Sequence, residues 1–431
     1  MRDFARSDSS AVQEQLDRLG RLSVPEGRLG LDTIRALLAR LGDPHKRLPP
    51  VFHVAGTNGK GSICAFLRAM LEAQGYKVHA TISPHLVRYN ERIRVAGELI
   101  SDERLAELLA EVLDVGEDLN PSFFEVTIAA AFAEFARVPA DACVVEVGLG
   151  GRFDATNVLE PEVLAACGIA ALGIDHERFL LAPEEGVPEA PMARIAFEKV
   201  GIAKPGVPLI ALGPTQSAAA VIFEVAERVG APIIMEGVDF RILADGQNFA
   251  VVDADSQIVL PLPSLSGAHQ VSNAGLAIAM LHHQRSIPVS HEAMVKGVRS
   301  ARWPARLQRM AEGPLTGGRE VWLDGGHNPS AGLALANHFR GQRFHLVIGM
   351  LSAKDPASLV GPLGKSIASI SVVPVPGHEW HGVDVFGPEA RSAGSLPEAF
   401  EKLPRDELPV LVAGSLYLAG EALRLNEEFP D

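Results

Sequence analysis

The chain has little that would tie it to an oxidising compartment, a membrane or a polyanion. Among 431 residues there are only three cysteines, Cys64, Cys143 and Cys167, widely spaced in apolar segments and without a metal-ligand pattern. That excludes a disulfide framework and fits a reducing compartment, with the thiols acting as small buried hydrophobes. Positive charge is also scarce: 39 Lys and Arg stand against 53 Asp and Glu, a formal net charge of −14. This balance opposes nonspecific nucleic-acid binding, so an anionic substrate must be met by local arginines and lysines. The opening "MRDFARSDSSAVQEQ" holds no apolar signal core, and the longest apolar stretch, around "VLAACGIAALGI", is too short to span a bilayer. Internal repeats and low-complexity tracts are missing too. A cytoplasmic enzyme without nucleic-acid or membrane partners is the expectation.

What is present is apolar content, 47% of residues, in a chain longer than one core usually serves. Two domains follow as the first expectation. Short apolar runs such as "DACVVEVGLGG" and "VLAACGIAALGIDH" read as parallel strands buried on both faces, alternating with helical stretches such as "SFFEVTIAAAFAEFA". The pattern predicts an α/β fold: residues 1–300 as a P-loop domain with a doubly wound, mostly parallel sheet, and 301–431 as a smaller Rossmann-like α/β domain. "AVVDADSQIVLPLPSLSG" reads as a small β appendage of the first domain, and the boundary is expected between Lys296 and Pro304.

The chemistry concentrates in "VFHVAGTNGKGSICAFLRAML". Val51, Phe52, Val54 and Ala55 suit a strand, while Ile63, Phe66, Leu67, Met70 and Leu71 recur at helical spacing, leaving 56–62 as the turn between them. A helix start offers unsatisfied N–H groups and a positive dipole end, and glycines let the backbone curl around an anion. Gly56, Thr57, Asn58, Gly59, Lys60, Gly61 and Ser62 are therefore the candidate phosphate loop, with Lys60 supplying charge and Ser62 a hydroxyl for a phosphate-bound magnesium ion. The loop departs from the usual Walker text, with Val54 in the place of its first glycine and Gly61 directly after the lysine.

Other candidates lie at neighbouring strand ends. Glu146 interrupts an apolar strand, which favours a magnesium ligand over a salt-bridged structural carboxylate. Ser83, before Pro84, and His176, after Asp175, project toward the same sheet edge. Lys199 in "MARIAFEKVGIAKPG" reads by itself as a helix-terminal cation with Gly201 as the C-cap. In the second domain, "LDGGHNP" places Asp324 at a strand end, His327 on a loop, and Asn328 and Pro329 at a helix start.

Taken together, "GTNGKGS", "SPHLVRYNERIRVAG", "EVGLGGRFDATN", "DHERF…IAFEKVGIAKPG", "HQVSNA", "WPARLQ", "DGGHNP" and "VAGSLYLAGE" resemble the folylpolyglutamate synthase and dihydrofolate synthase family, a branch of the Mur ligase superfamily. The resemblance runs from about residue 28 onward, in the family's order. It implies a monomeric ligase that uses ATP and Mg2+ in a cleft between its domains to join L-glutamate to dihydropteroate or folates. It further implies that Ser83, Glu146 and His176 hold magnesium, that Asn273 and Asp324 contact the nucleoside, that Arg306 reaches the phosphates beside His327, and that Lys199 is carbamylated and so becomes an oxygen ligand for magnesium. Lys60, Lys199, His176 and Arg306 are then the catalytic candidates, with Arg88, Arg92, Arg94, Arg152 and Ser415 as substrate-binding candidates. Exposed, solvated arginines remain an equal reading for each arginine alone. Another Mur-type amino-acid ligase and a nucleotide-dependent switch remain the alternatives. One departure stands out: "LLAPEEGVPEAP", between His176 and the helix of Lys199, is longer and richer in proline than the family's usual connection.

Overall fold

The apolar run ahead of the phosphate loop becomes β1 (Val51–Ala55), buried at every position. Around it the first sheet gathers β2 (Val78–Thr81), β3 (Ile93–Val95), β4 (Glu98–Leu99), β5 (Ala142–Glu146), β6 (Leu164–Ile169), β7 (Leu209–Ala211) and β8 (Ile233–Met235) in the order β4-β3-β2-β5-β1-β6-β7-β8. The strands from β2 to β8 in that order run parallel, while β3 and β4 form an antiparallel edge. Crossover helices cover the faces, so the central strands are buried on both sides and carry almost no polar residue. The helix Phe123–Phe135 shows the consequence: Val126 through Phe135 are all buried, and its start is fixed by the reciprocal Ser122–Glu125 capping box.

The computed structural model describes residues 7–22, 30–175 and 177–430. The chain separates into two units, Met1–Ser264 with Gln270–Arg302, and Leu265–His269 with Trp303–Asp431. The segment Leu265–His269 thus groups with the later residues, although the sequence reading left it inside 1–300. In the first unit a three-stranded antiparallel sheet, β9 (Phe240–Ala244), β10 (Asn248–Asp253) and β11 (Gln257–Pro261), forms the β appendage, with one strand more than the sequence pattern showed. The helix Lys60–Ala73 is crossed by the helix His291–Ser300 so closely that a Cβ on Gly297 would lie 2.5 Å from the Met70 backbone.

The second unit has its own sheet of β12 (Gln308–Arg309), β13 (Val321–Asp324), β14 (Phe344–Ile348), β15 (Ile367–Val372), β16 (Arg391–Ser392) and β17 (Val410–Ala413), ordered β12-β13-β17-β14-β15-β16. All pairs except β12–β13 are parallel. Its core centres on Phe339, Phe344, Leu346, Ile348 and Leu411. Among the described residues no helix is long and apolar enough to cross a membrane. Cys64, Cys143 and Cys167 are free and buried, as their apolar settings predict.

Candidate active site

Register decides which strand ends meet. Val54 of β1 pairs with Glu146 of β5, Ala55 with Ile169 of β6, and Thr81 of β2 with Val145. The segments that follow β2, β5, β1 and β6 therefore leave the sheet side by side, at the edge where open α/β sheets bind their ligands. His176 lies outside the described residues. Ser83 donates its backbone N–H to Glu146 Oε2 at 3.1 Å, joining two of the predicted ligands directly. Glu146 is only 5% exposed, so it is a buried carboxylate at the mouth of the loop.

The loop is held from beneath by the residues after β6. Thr57 Oγ1 donates to Gly173 O at 2.8 Å and receives the Gly173 N–H at 3.0 Å, while the amides of Thr57 and Asn58 both point to Ala171 O. Gly59, the residue ahead of the helix Lys60–Ala73, sits at φ +89°, where an L side chain is strained. A Cβ there would also fall 2.3 Å from Asn273 Oδ1, which places Asn273, donating to Gln270 Oε1, against the loop. Ser62 is 1% exposed and its Oγ has no hydrogen-bond partner. An orphaned hydroxyl in the first turn of a phosphate-loop helix fits a group that supplies its missing partner when bound, and a hard cation is such a group.

Lys60 and Lys199 line one open pocket of about 250 Å3 with Gly56, Thr57, Gly148, Leu149, Gly150, Asp175 and Leu180. Burial, then repulsion by Lys60, pulls the Lys199 amine down to about 7 against the opposing pull of Asp175, Asp154 and Glu198. Lys199 is therefore no exposed terminal cation of the helix Pro191–Val200, being only 4% exposed. Gly201 is the C-cap residue, as the sequence reading has it, in right-handed conformation with φ −57°. Close approach explains the glycines: a Cβ on Gly201 would strike Arg152 Cβ at 2.5 Å, and one on Gly151 would lie 2.8 Å from the carbonyls of Glu198 and Lys199.

Sequence reasoning missed two supports of this pocket. Under the Gly148–Gly151 turn, Asp154 accepts from Leu149 N at 2.8 Å and from Thr156 Oγ1 at 2.6 Å, and Thr156 Oγ1 meets His53 Nε2 at 2.8 Å. Burial raises the Asp154 carboxyl and holds His53 near 3, so this chain carries a neutral imidazole. The second support comes from the proline-rich connection. Its Glu184 grips Arg152 at 2.6 and 3.1 Å and Arg194 at 2.9 Å, and both arginines also reach Glu198, at 2.7 and 3.1 Å. The letters held only part of the signal: two acids in "PEEG" lie shortly before Arg194 in the chain, but Arg152 lies 32 residues away from Glu184.

Two of the substrate-binding candidates already have partners. Arg152 is bound to Glu184 and Glu198 and stacks over Phe153 and Phe197, so it braces the Lys199 helix. Arg92 is 1% exposed, donates to His85 Nδ1 at 2.8 Å and lies over the Tyr89 and Phe123 rings. Arg88 is exposed, and Arg94 Nη1 donates to Gly97 O. In the second unit, Asp324 accepts from Leu307 N and Gly326 N, Arg306 Nη1 donates to Ala305 O, and His327 Nδ1 lies 3.1 Å from Gly325 O. Asn328 caps the helix Pro329–His338 as predicted, and Ser415 Oγ accepts from Tyr417 N at the start of Leu416–Leu425.

A glycine-bent loop at a helix start, a buried carboxylate, an orphaned serine hydroxyl and two lysines in one pocket define an α/β phosphate-handling enzyme. No family model matches the chain. It is 35% identical over 400 residues to the dihydrofolate synthase/folylpolyglutamate synthase of Bacillus subtilis, covering 86% of this chain and 85% of the relative. The solved structure of E. coli FolC in complex with DHPP and ADP superposes with a TM-score of 0.85 at 30% identity, covering 97% of this chain and 98% of that one. A crystal structure of bifunctional folylpolyglutamate synthase/dihydrofolate synthase with Mn, AMPPNP and L-glutamate bound gives a TM-score of 0.83 at 28% identity, covering 96% and 98%. The chain belongs to the dihydrofolate synthase/folylpolyglutamate synthase family and is an ATP-dependent ligase.

Proposed function

We propose that the chain carries both activities of its family, joining L-glutamate to dihydropteroate and extending folates by glutamate. The observation that carries a nucleotide-driven reading is the buried, partnerless Ser62 hydroxyl in the first turn of the loop helix, with Glu146 at the adjoining strand end. A carboxylate resists attack by an amine because it lacks a leaving group. In the proposed reaction a substrate carboxylate oxygen attacks the γ-phosphorus of ATP, the bond to the ADP oxygen breaks, and an acyl phosphate forms. The glutamate amine then attacks the acyl carbon, loses its proton, and phosphate departs with the former carboxylate oxygen.

The chain's task in such a transfer is positioning and charge neutralisation. The amides at the start of the loop helix and the Lys60 ammonium hold the phosphates, and Gly56 and Gly59 let the backbone come close to them. Ser62, Ser83, Glu146 and His176 are the proposed magnesium ligands; when bound, the ion would neutralise charge on the phosphate oxygens. Lys199, a buried amine lowered to about 7, suits carbamylation, since only the neutral amine takes up carbon dioxide. Carbamylated, it would present a carboxylate toward Lys60. Roles at the nucleotide for Asn273, Arg306, Asp324 and His327, and at substrate for Arg88 and Ser415, stay with the proposal. The ADP and DHPP of one solved relative, and the Mn, AMPPNP and L-glutamate of the other, support this reading.

Release of ADP is measured with dihydropteroate or tetrahydrofolate, each with and without glutamate. Turnover with both acids, in each case requiring glutamate, is expected; turnover with one acid removes the second activity, and hydrolysis independent of both partners favours a nucleotide switch. Lys60→Ala should abolish ADP release, and near-normal ligation by the folded variant would remove its assigned role.

A further inference from the structure

The helix His269–His283 presses Asn273 against the phosphate loop near its start and ends in two adjacent histidines. Opposite them stands Asp253, the last residue of β10. Its two oxygens are divided in use. Oδ1 accepts from the amides of Asp255 and Ser256 at 2.9 and 2.6 Å, closing the turn into β11. Oδ2 faces His282 Nε2 at 3.2 Å and His283 Nε2 at 3.7 Å, and the three atoms all lie within 4.8 Å of one another.

We propose that Asp253, His282 and His283 form a binding site for one divalent transition-metal ion of borderline softness, zinc first, separate from the nucleotide's magnesium. Tetrahedral zinc with ligands about 2.0–2.2 Å away spaces neighbouring ligand atoms roughly 3.3–3.6 Å apart, a range that falls between the two separations from Asp253 Oδ2, 3.2 and 3.7 Å. Two imidazoles with one carboxylate are a donor set for zinc, whereas magnesium and calcium favour shells made mostly of oxygen. An ordinary aspartate–histidine ion pair would leave His283 idle: its Nε2 is buried and has no hydrogen-bond partner. The fourth position is open to water or to Ser256 Oγ, 3.1 Å from His282 Nε2. A bound ion would tie the antiparallel sheet to the helix that carries Asn273, stiffening the support of the phosphate loop without entering the reaction.

The test uses the full chain, stripped with chelator and dialysed against zinc chloride in the absence of nucleotide and magnesium. Bound zinc is counted by mass spectrometry and the melting midpoint recorded. About one zinc per chain and a raised midpoint are expected. Asp253→Asn and His282→Gln should each weaken zinc binding by at least about ten-fold and cancel the rise in midpoint. The exposed His282 makes its variant a safe check should Asp253→Asn fold poorly. Glu146→Gln, at the nucleotide end of the sheet, should retain the zinc. No zinc on the parent, equal zinc on the parent and the His282 variant, or loss of zinc with Glu146→Gln alone would each overturn the assignment.

Discussion

Substituting Glu184 by glutamine isolates what the proline-rich connection contributes, because it keeps the side chain's size and removes only its charge. In the native cluster the guanidiniums of Arg152 and Arg194 face the carboxylates of Glu184 and Glu198, and the formal charges cancel. After the change two cations share Glu198. One ion pair near 4 Å is worth about 4 kcal/mol at an effective dielectric of about 20, and Glu184 makes two. Against this, the variant no longer holds a carboxylate partly out of water, and the 18% residual exposure of Glu184 screens its pairs. The net expectation is a loss of about 2–3 kcal/mol, below the roughly 3–5 kcal/mol for breaking a fully buried pair. Urea unfolding would read this loss, and a double-mutant cycle with Arg194→Met should return a coupling of about 1 kcal/mol or more. Since Arg152 N donates to Glu198 O at 2.7 Å, one residue before Lys199, kcat should fall as well. A loss under about 0.5 kcal/mol with zero coupling would show that the four charges act as an ordinary solvated surface.

Other expectations follow from the same pocket. Gly59→Ala forces an L residue to φ +89° and drives its Cβ onto Asn273, so it should cost about 1–2 kcal/mol in unfolding and lower kcat/KM for ATP by about 100-fold; a variant with parental kinetics would refute the tight fit. For Lys199 the folded amine near 7 lies below its unfolded value of 10.5, so between those values the unfolded chain binds more protons and stability rises with pH. Lys199→Met should erase that rise in urea titrations of metal-free, carbon-dioxide-depleted protein, and an unchanged pH slope would contradict the buried amine. His53→Leu should leave the buried Thr156 hydroxyl short of a partner and cost about 1–3 kcal/mol, read by thermal unfolding.

The strands of the first sheet's centre were legible because parallel strands buried on both faces must be largely apolar, as "ACVV" and "LAACGI" are. The loop was legible because glycines, a lysine and a serine between a strand and a helix leave few other readings. Residues 205–244 escaped: β7, β8 and β9 are short, and the half-buried edge strands β8 and β9 have no long apolar signature. Glu146 and Ser83 could be placed on strand ends from the letters, but their direct contact depends on the β2–β5 register, which no local pattern encodes. Lys199 shows the limit of local context: a helix end followed by glycine reads as a helix-terminal cation, and its burial comes from tertiary packing, with Gly151 against its backbone. The partners of Arg92 and Arg152 were hidden for the same reason, since a sequence displays charges without the carboxylates and rings that fold against them.

The central claim is that the nucleotide's terminal phosphate is passed to the acid before the amide forms, and labelled oxygen tests it most directly. Dihydropteroate bearing oxygen-18 in its carboxylate is turned over with ATP and glutamate, and the released inorganic phosphate is analysed by mass. The account predicts one labelled oxygen in each phosphate produced; phosphate free of label, with amide still formed, would contradict it.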